Sequence, residues 1–408
     1  MVATLAQAVR RLAYDLEGYA RFKMGICSSK FIEQSSPCRP PHNITMQGLR
    51  KDNHYVPKLY LKQWASDNEI PTYRLLVPHE KLQPWKSHSL SGIAFHEHLY
   101  TRVLGGEATD EFERWLHEEF ENPIDAVIGR AVREERLSPG DWNLLIRFAV
   151  AQDVRTPAYL LEFLTRQSES LPALLDETVE DCVKNFQSRL KDHNVSSDPP
   201  EDADLFPLKV TVQRYPEGDG GLKAEIVVGR SLWLWNIRRI LTSTIKKLPK
   251  KGWTILHAPD GLEWPTSDNP LIRLNFKSEA QYDFKGGWGV LNGDILLPLS
   301  PKHLLCTCIG NRARLRGTTL DIPTAQMIQR FIVEHAHRYV FSRKPFDVHT
   351  IRPRVVSVEA YKREKDAWDR WGREQGDAEA ELRVRPAHSQ SRGETSRVES
   401  GAAAQLGP

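Results

Sequence analysis

The chain has 408 residues, of which 40% are hydrophobic, 27% charged and 9% aromatic, the balance of an ordinary globular protein long enough to bury a full core. A net charge of +3 is too mild to argue for a dedicated nucleic-acid binder, which shows a strong basic stripe. No apolar run approaches the roughly 20 residues of a membrane-spanning helix, and five cysteines without an export signal point to reduced thiols in a cytoplasm rather than to a disulfide framework.

Residues 1–45 differ from the rest. Leu5, Val9, Leu12 and Leu16 recur at helical spacing, but Tyr14-Asp15-Leu16-Glu17 interrupts the apolar run that a signal peptide needs. Ser35 to His42 is turn-rich, so 1–45 is expected to be a poorly ordered extension with Met46 as an alternative start. Short extended pieces follow at Tyr55–Trp64, Tyr73–Val77 and Leu99–Val103, punctuated by Pro and Gly. The first carries an odd string, Asn53-His54-Tyr55-Val56-Pro57, which puts an imidazole and a phenol into an apolar stretch.

The middle is helical. Phe112, Leu116, Phe120, Ile124, Val127 and Ile128 recur at helical spacing, with a kink expected at Asn122-Pro123. Ser138-Pro139-Gly140-Asp141 reads as a helix start: a Ser cap, Pro at the first position and an acid at the third. In that helix Leu145, Phe148, Gln152 and Arg155 share one face, so an apolar stripe runs into a Gln and an Arg before Pro157. A further helix is expected around Leu171 to Leu190, then a polar linker near 192–204. Beyond it the period becomes two: a hairpin (Leu208–Val212 with Ala224–Val228), a helix from Leu232 to Leu248, and strands at Trp253–His257, Leu271–Phe276, Asp294–Leu299, His303–Cys308 and Arg338–Ser342, with a helix near Thr324–Ala336. From Glu364 the chain is highly charged, and 385–408 reads as disordered. Extended pieces, then helices, then mostly strands argue an α+β fold, with a C-terminal, mostly antiparallel sheet on which one or two helices pack. The expected division is one domain over 46–360 and a charged, then disordered, tail over 361–408.

Three polar insertions are expected to converge on one site: His54 with Tyr55, Gln152 with Arg155, and Ser267-Asp268-Asn269-Pro270 at a strand end. In the enzymatic reading, His54 and Asp268 exchange protons, Arg155 holds an anion, and Gln152, Asn269 and Tyr55 orient a phosphate- or carboxylate-bearing substrate during hydrolysis. In the alternative, the same residues form a buried polar network in a non-catalytic binding or interaction protein, for example one of a stress or defence system. A third reading, nucleic-acid binding, rests on Arg312, Arg314 and Arg316, which would alternate along a strand face, and on the lysines at 246–251. No metal centre is expected. His96-Glu97-His98, with two imidazoles on one strand face, and Glu334-His335-Ala336-His337 both lack zinc-motif spacing. Cys306 and Cys308 read as buried reduced thiols. No G-x-S-x-G, Walker or G-x-G-x-x-G string is present, so hydrolase-elbow, P-loop and dinucleotide readings lack support, and the cofactor is unknown from sequence.

His54-Tyr55-Val56-Pro57 with Tyr60-Leu61 and Trp64, then Gln152 with Arg155-Thr156-Pro157, then Ser267-Asp268-Asn269-Pro270, then Leu297-Pro298-Leu299-Ser300-Pro301 resemble, in order and spacing, the bacterial family called domain of unknown function 4238. The resemblance spans roughly residues 50–345. It implies an uncharacterised, mainly bacterial, intracellular protein, and carries over no activity, cofactor or partner. The family more often has Phe at the position of Trp64.

Overall fold

Ser138 accepts a hydrogen bond from the backbone N–H of Asp141, and the Asp141 carboxylate accepts one from Ser138 N at 2.8 Å, so the expected capping box starts the longest central helix where the sequence places it. The computed structural model describes residues 24–26, 30–32, 48–104, 107–171, 208–214 and 220–383. Its helices in chain order are α1 (Lys58–Leu61), α2 (Glu111–Leu116), α3 (Asp125–Val132), α4 (Pro139–Val154), α5 (157–171), α6 (Arg230–Thr242), α7 (Ile322–His335) and α8 (Val358–Arg383). The helix expected beyond Leu171, the linker near 192–204, the segment from 385 and most of 1–45 lie outside the described residues.

The C-terminal half is built on a five-stranded antiparallel sheet, ordered Thr254–His257, His303–Cys308, Asp294–Ser300, Ile272–Ser278, Gln281–Asp283. Side chains alternate across it, and the alternation divides two cores. Ile255, Leu271, Ile295, Leu297 and Leu305 face a large cluster built with α4 and α6. Leu256, Ile272, Leu274, Leu296, Leu304 and Cys306 face α7 through Ile328, Phe331 and Ile332. Both faces are buried, which is why these strands read as near-continuous apolar runs. A second antiparallel sheet, ordered Thr266–Ser267, Tyr339–Phe341, Glu69–Arg74, Trp85–Ser89, joins the N-terminal strands to the C-terminal half. The fold is α+β, and the hairpin Leu208–Arg214 with Gly220–Val227 forms as expected.

Four local expectations change. Tyr55–Trp64 is not extended: after Pro57 the chain turns into α1 and a 3-10 turn over Lys62–Trp64. Tyr60, Leu61 and Trp64, at i, i+1 and i+4, bury one helical face, so Pro57 opens a helix instead of marking a strand edge. The helix expected to carry Arg155 stops short of it, and Pro157 begins a new one. α4 ends at Val154, and Pro157 stands first in α5, whose N-terminus Thr156 caps by accepting from Tyr159 N at 3.3 Å. Arg312, Arg314 and Arg316 lie in a loop after Cys308, not on a strand face. His98 leaves the strand Phe95–Glu97 with a left-handed φ of 55°, so it does not share a face with His96. On α8, Trp368 and Trp371 pack on the main cluster, and Gln375 and Glu379 are buried. Among the described residues, no helix is long and apolar enough to cross a membrane.

Candidate functional site

The first polar string is fastened by its aromatic residues. Tyr60 donates to the carbonyl of Pro298 at 2.7 Å and pairs with the Thr266 hydroxyl at 2.7 Å; Trp64 Nε1 donates to the carbonyl of Trp264 at 2.8 Å. Both rings are fully buried, so α1 is pinned beside the strand that carries Ser267-Asp268.

Arg155, the C-cap of α4, is fully buried. Its Nη1 donates to Glu121 Oε1 at 2.7 Å, its Nη2 to the backbone carbonyl of His54 at 2.5 Å, and its Nε faces the Tyr100 hydroxyl at 3.5 Å. Tyr100 in turn donates to the Arg155 carbonyl at 2.7 Å. Burial works against an ionised Glu121, but the Arg155 charge and hydrogen bond, with His117, hold its carboxyl below the usual range. Glu113, buried nearby, is pushed up to about 7 by burial, against the Arg155 charge. The His54 imidazole is depressed by burial and then by Lys58, and its Nε2 is buried without a partner among the described residues. Gln152, one turn earlier, buries both amide atoms without partners among the described residues. The arginine thus links the end of strand Asp52–His54, the π-helical turn His117–Glu121 and α4, with every nitrogen directed at protein.

Asp268 is 1% exposed, and its carboxylate accepts from the backbone N–H groups of His337 at 2.8 Å and Arg338 at 2.7 Å. Burial raises it to about 6 against these donors. Asn269 accepts from the Thr156 hydroxyl at 3.2 Å and donates to the His335 carbonyl at 3.3 Å, while His335 Nδ1 lies 3.1 Å from the Asn269 carbonyl. The three strings therefore meet in pairs: His54 with Arg155 through a carbonyl, Thr156 with Asn269, and Tyr55 with Asp268 across a cavity.

That cavity, of about 570 Å³, lies between the Phe95–Glu97 strand, the second sheet and α8. One wall is a ring stack: Tyr55 on His96 at 5.3 Å and His96 on Trp368 at 3.8 Å. The opposite wall is Arg74 with two phenols. Its Nη1 donates to Tyr361 at 3.1 Å and its Nη2 to Tyr339 at 2.7 Å, and the guanidinium sits over both rings at 5.3 and 5.2 Å. Both partners are phenol hydroxyls, so among the described residues this guanidinium is met by phenols and not by a carboxylate. Asp268, His337 and Arg338 complete the lining, with Arg338 Nε bound to Glu364 Oε2 of α8 at 2.7 Å. Burial holds His96 down to about 3 and His337 to about 4, assisted by neighbouring imidazole or guanidinium charge, so both rings are neutral at neutral pH.

Of the residues singled out from sequence, Tyr55 and Asp268 line the cavity, whereas His54, Gln152, Arg155 and Asn269 are not among its lining residues. Sequence reasoning missed Arg74, Tyr339, Tyr361 and Trp368. Trp368 and Trp371, three apart in a charged stretch, were the signal that this stretch has a buried face.

Residues 52–346 match the model of a family described as Protein of unknown function (DUF4238). No curated protein and no solved structure matches the chain.

Proposed function

The chain belongs to the DUF4238 family, proteins of unknown function, and from its site we propose that the cavity between Tyr55, Arg74, Asp268 and α8 binds a small organic anion. The observation that carries this reading is Arg74: a half-buried guanidinium whose donors rest on two phenol oxygens in an aromatic-walled cavity. Exchanging a neutral oxygen for a carboxylate or phosphate oxygen strengthens each such bond. The rings of Tyr55, His96 and Trp368 offer the apolar surface that most small-molecule sites use to hold a ligand's body. The anion-holding role expected of Arg155 passes to Arg74 in this reading, because Arg155 is already paired with Glu121.

Hydrolysis is the second reading, favoured by one observation: Asp268, raised to about 6, lines the same cavity as Tyr55. A carboxyl near neutrality is suited to proton transfer.

The test is calorimetric titration of the purified full chain with inorganic phosphate, benzoate and a nucleoside monophosphate. The expected result is tighter binding of a ring-bearing anion than of phosphate, lost in Arg74→Gln. Binding that is absent for every probe, or unchanged in Arg74→Gln, overturns the proposal. Turnover of p-nitrophenyl phosphate or acetate that disappears in Asp268→Asn would select the hydrolytic reading.

A further inference from the structure

A second cluster lies on other elements and shares no residue with the cavity. His257 ends the strand Thr254–His257, and His303 opens the strand His303–Cys308. They are direct partners in the antiparallel register, so both side chains leave the sheet on the same face. Their rings stand 4.8 Å apart at 77°. The third member arrives from the end of α3. Glu134 has a left-handed φ of 61°, a conformation that helix ends usually assign to Gly or Asn. That turn brings its Oε1 to 3.7 Å from His257 Nδ1 and 4.0 Å from His303 Nε2. The possible ligand atoms of the three residues all lie within 4.8 Å of one another.

We propose that Glu134, His257 and His303 bind a divalent first-row transition ion, with zinc as the reference case. Two imidazoles and one carboxylate form a known three-ligand zinc set that leaves one position for water or substrate. Bonds of ~2.0–2.1 Å require donor atoms about 3.3 Å apart in a tetrahedral site, so the cluster contracts on binding. Glu134, with its side chain 65% exposed, is the member free to move. His303 is already oriented: its Nδ1 lies 2.8 Å from Ser300 Oγ, which also accepts from Lys302 N at 3.2 Å. An outer hydrogen bond of this kind turns the opposite nitrogen toward a metal. The Arg316 guanidinium, bonded through Nη1 to the Glu135 carbonyl at 2.8 Å, lies near His303. Its charge opposes a bare cation and favours an anionic group on the open position.

The test uses the full chain stripped with a chelator, then titrated with zinc by calorimetry and with cobalt(II) by visible absorption. One equivalent per chain is expected, with tetrahedral cobalt bands and no sulfur-to-cobalt charge transfer. His257→Ala with His303→Ala should bind none. Glu134→Gln, at an exposed position that cannot unfold the sheet, should weaken binding more than tenfold, and Ser300→Ala about 10- to 100-fold. Uptake that is absent in the wild type, unchanged in Glu134→Gln, or marked by thiolate charge transfer from Cys306 or Cys308 overturns the proposal.

Discussion

Arg155 and Arg74 are two interior arginines with opposite surroundings. Arg155 is fully buried and meets a carboxylate, a carbonyl and a hydroxyl, which is the company of a structural staple. Arg74 is half-buried on a cavity wall and rests on two phenols. Burial alone marks both as unusual; the difference lies in what neutralises the charge. A guanidinium matched by a carboxylate has finished its work on folding, whereas one matched by phenols keeps its charge available.

Acid should separate the two regions most. His96, His303, His335 and His337 have folded values of about 3 to 4 against 6.5 unfolded. Their contribution is fully present above pH 6.5 and is lost as the pH falls from there through about 4. Asp268 acts in the opposite sense: raised from 3.8 to about 6, it makes the native state less stable as pH rises across that interval. Glu121, held below 4.5 by Arg155, loses its contribution only below pH 4.5. Urea midpoints from pH 7 to pH 4 should therefore fall steeply, less so in His96→Phe and more so in Asp268→Asn. A flat profile in the wild type would refute the burial of these four imidazoles in neutral form.

Arg155→Ala should cost about 3–5 kcal/mol, because it strands Glu121 in the interior. Equilibrium denaturation checks this, and a loss below 1 kcal/mol would mean that the staple contributes nothing. Tyr60→Phe should cost about 1–2 kcal/mol by leaving the Pro298 carbonyl without its donor. Arg74→Gln should change stability least, by roughly 0.5 kcal/mol or less, while removing anion binding. A large loss of stability in Arg74→Gln would make the two arginines alike and dissolve the contrast.

What could be read from the sequence was local or periodic. The capping box at Ser138, the Leu208–Val227 hairpin and the alternation in Leu296-Leu297 and Leu304-Leu305 each depend on neighbours a few residues away. Arg155 was recognisable as a buried arginine from the stripe of Leu145 and Phe148, but Glu121, 34 residues earlier, was not identifiable as its partner. His257 and His303 meet only through strand register, and Arg74 meets Tyr339 and Tyr361 across more than 260 residues. Such pairs leave no trace in spacing. Lys58–Trp64 was misread for a different reason: a proline before an apolar run suits both a strand edge and a helix start, and only the burial of Tyr60 with Trp64 decides between them.

α8 lies beyond the residues matched by the family, which end at 346. Ion pairs moor it at Glu364 on Arg338 and at Glu379 on Arg230, and Trp368 faces the cavity between them. The cavity lining thus has two origins in the chain: Tyr55, Arg74, His96 and Asp268 lie within the matched span, and Tyr361 and Trp368 lie beyond it. Under the proposed anion-binding reading, substitutions on α8 between Glu364 and Glu379 would reshape one side of the cavity while leaving Arg74 and the five-stranded sheet in place.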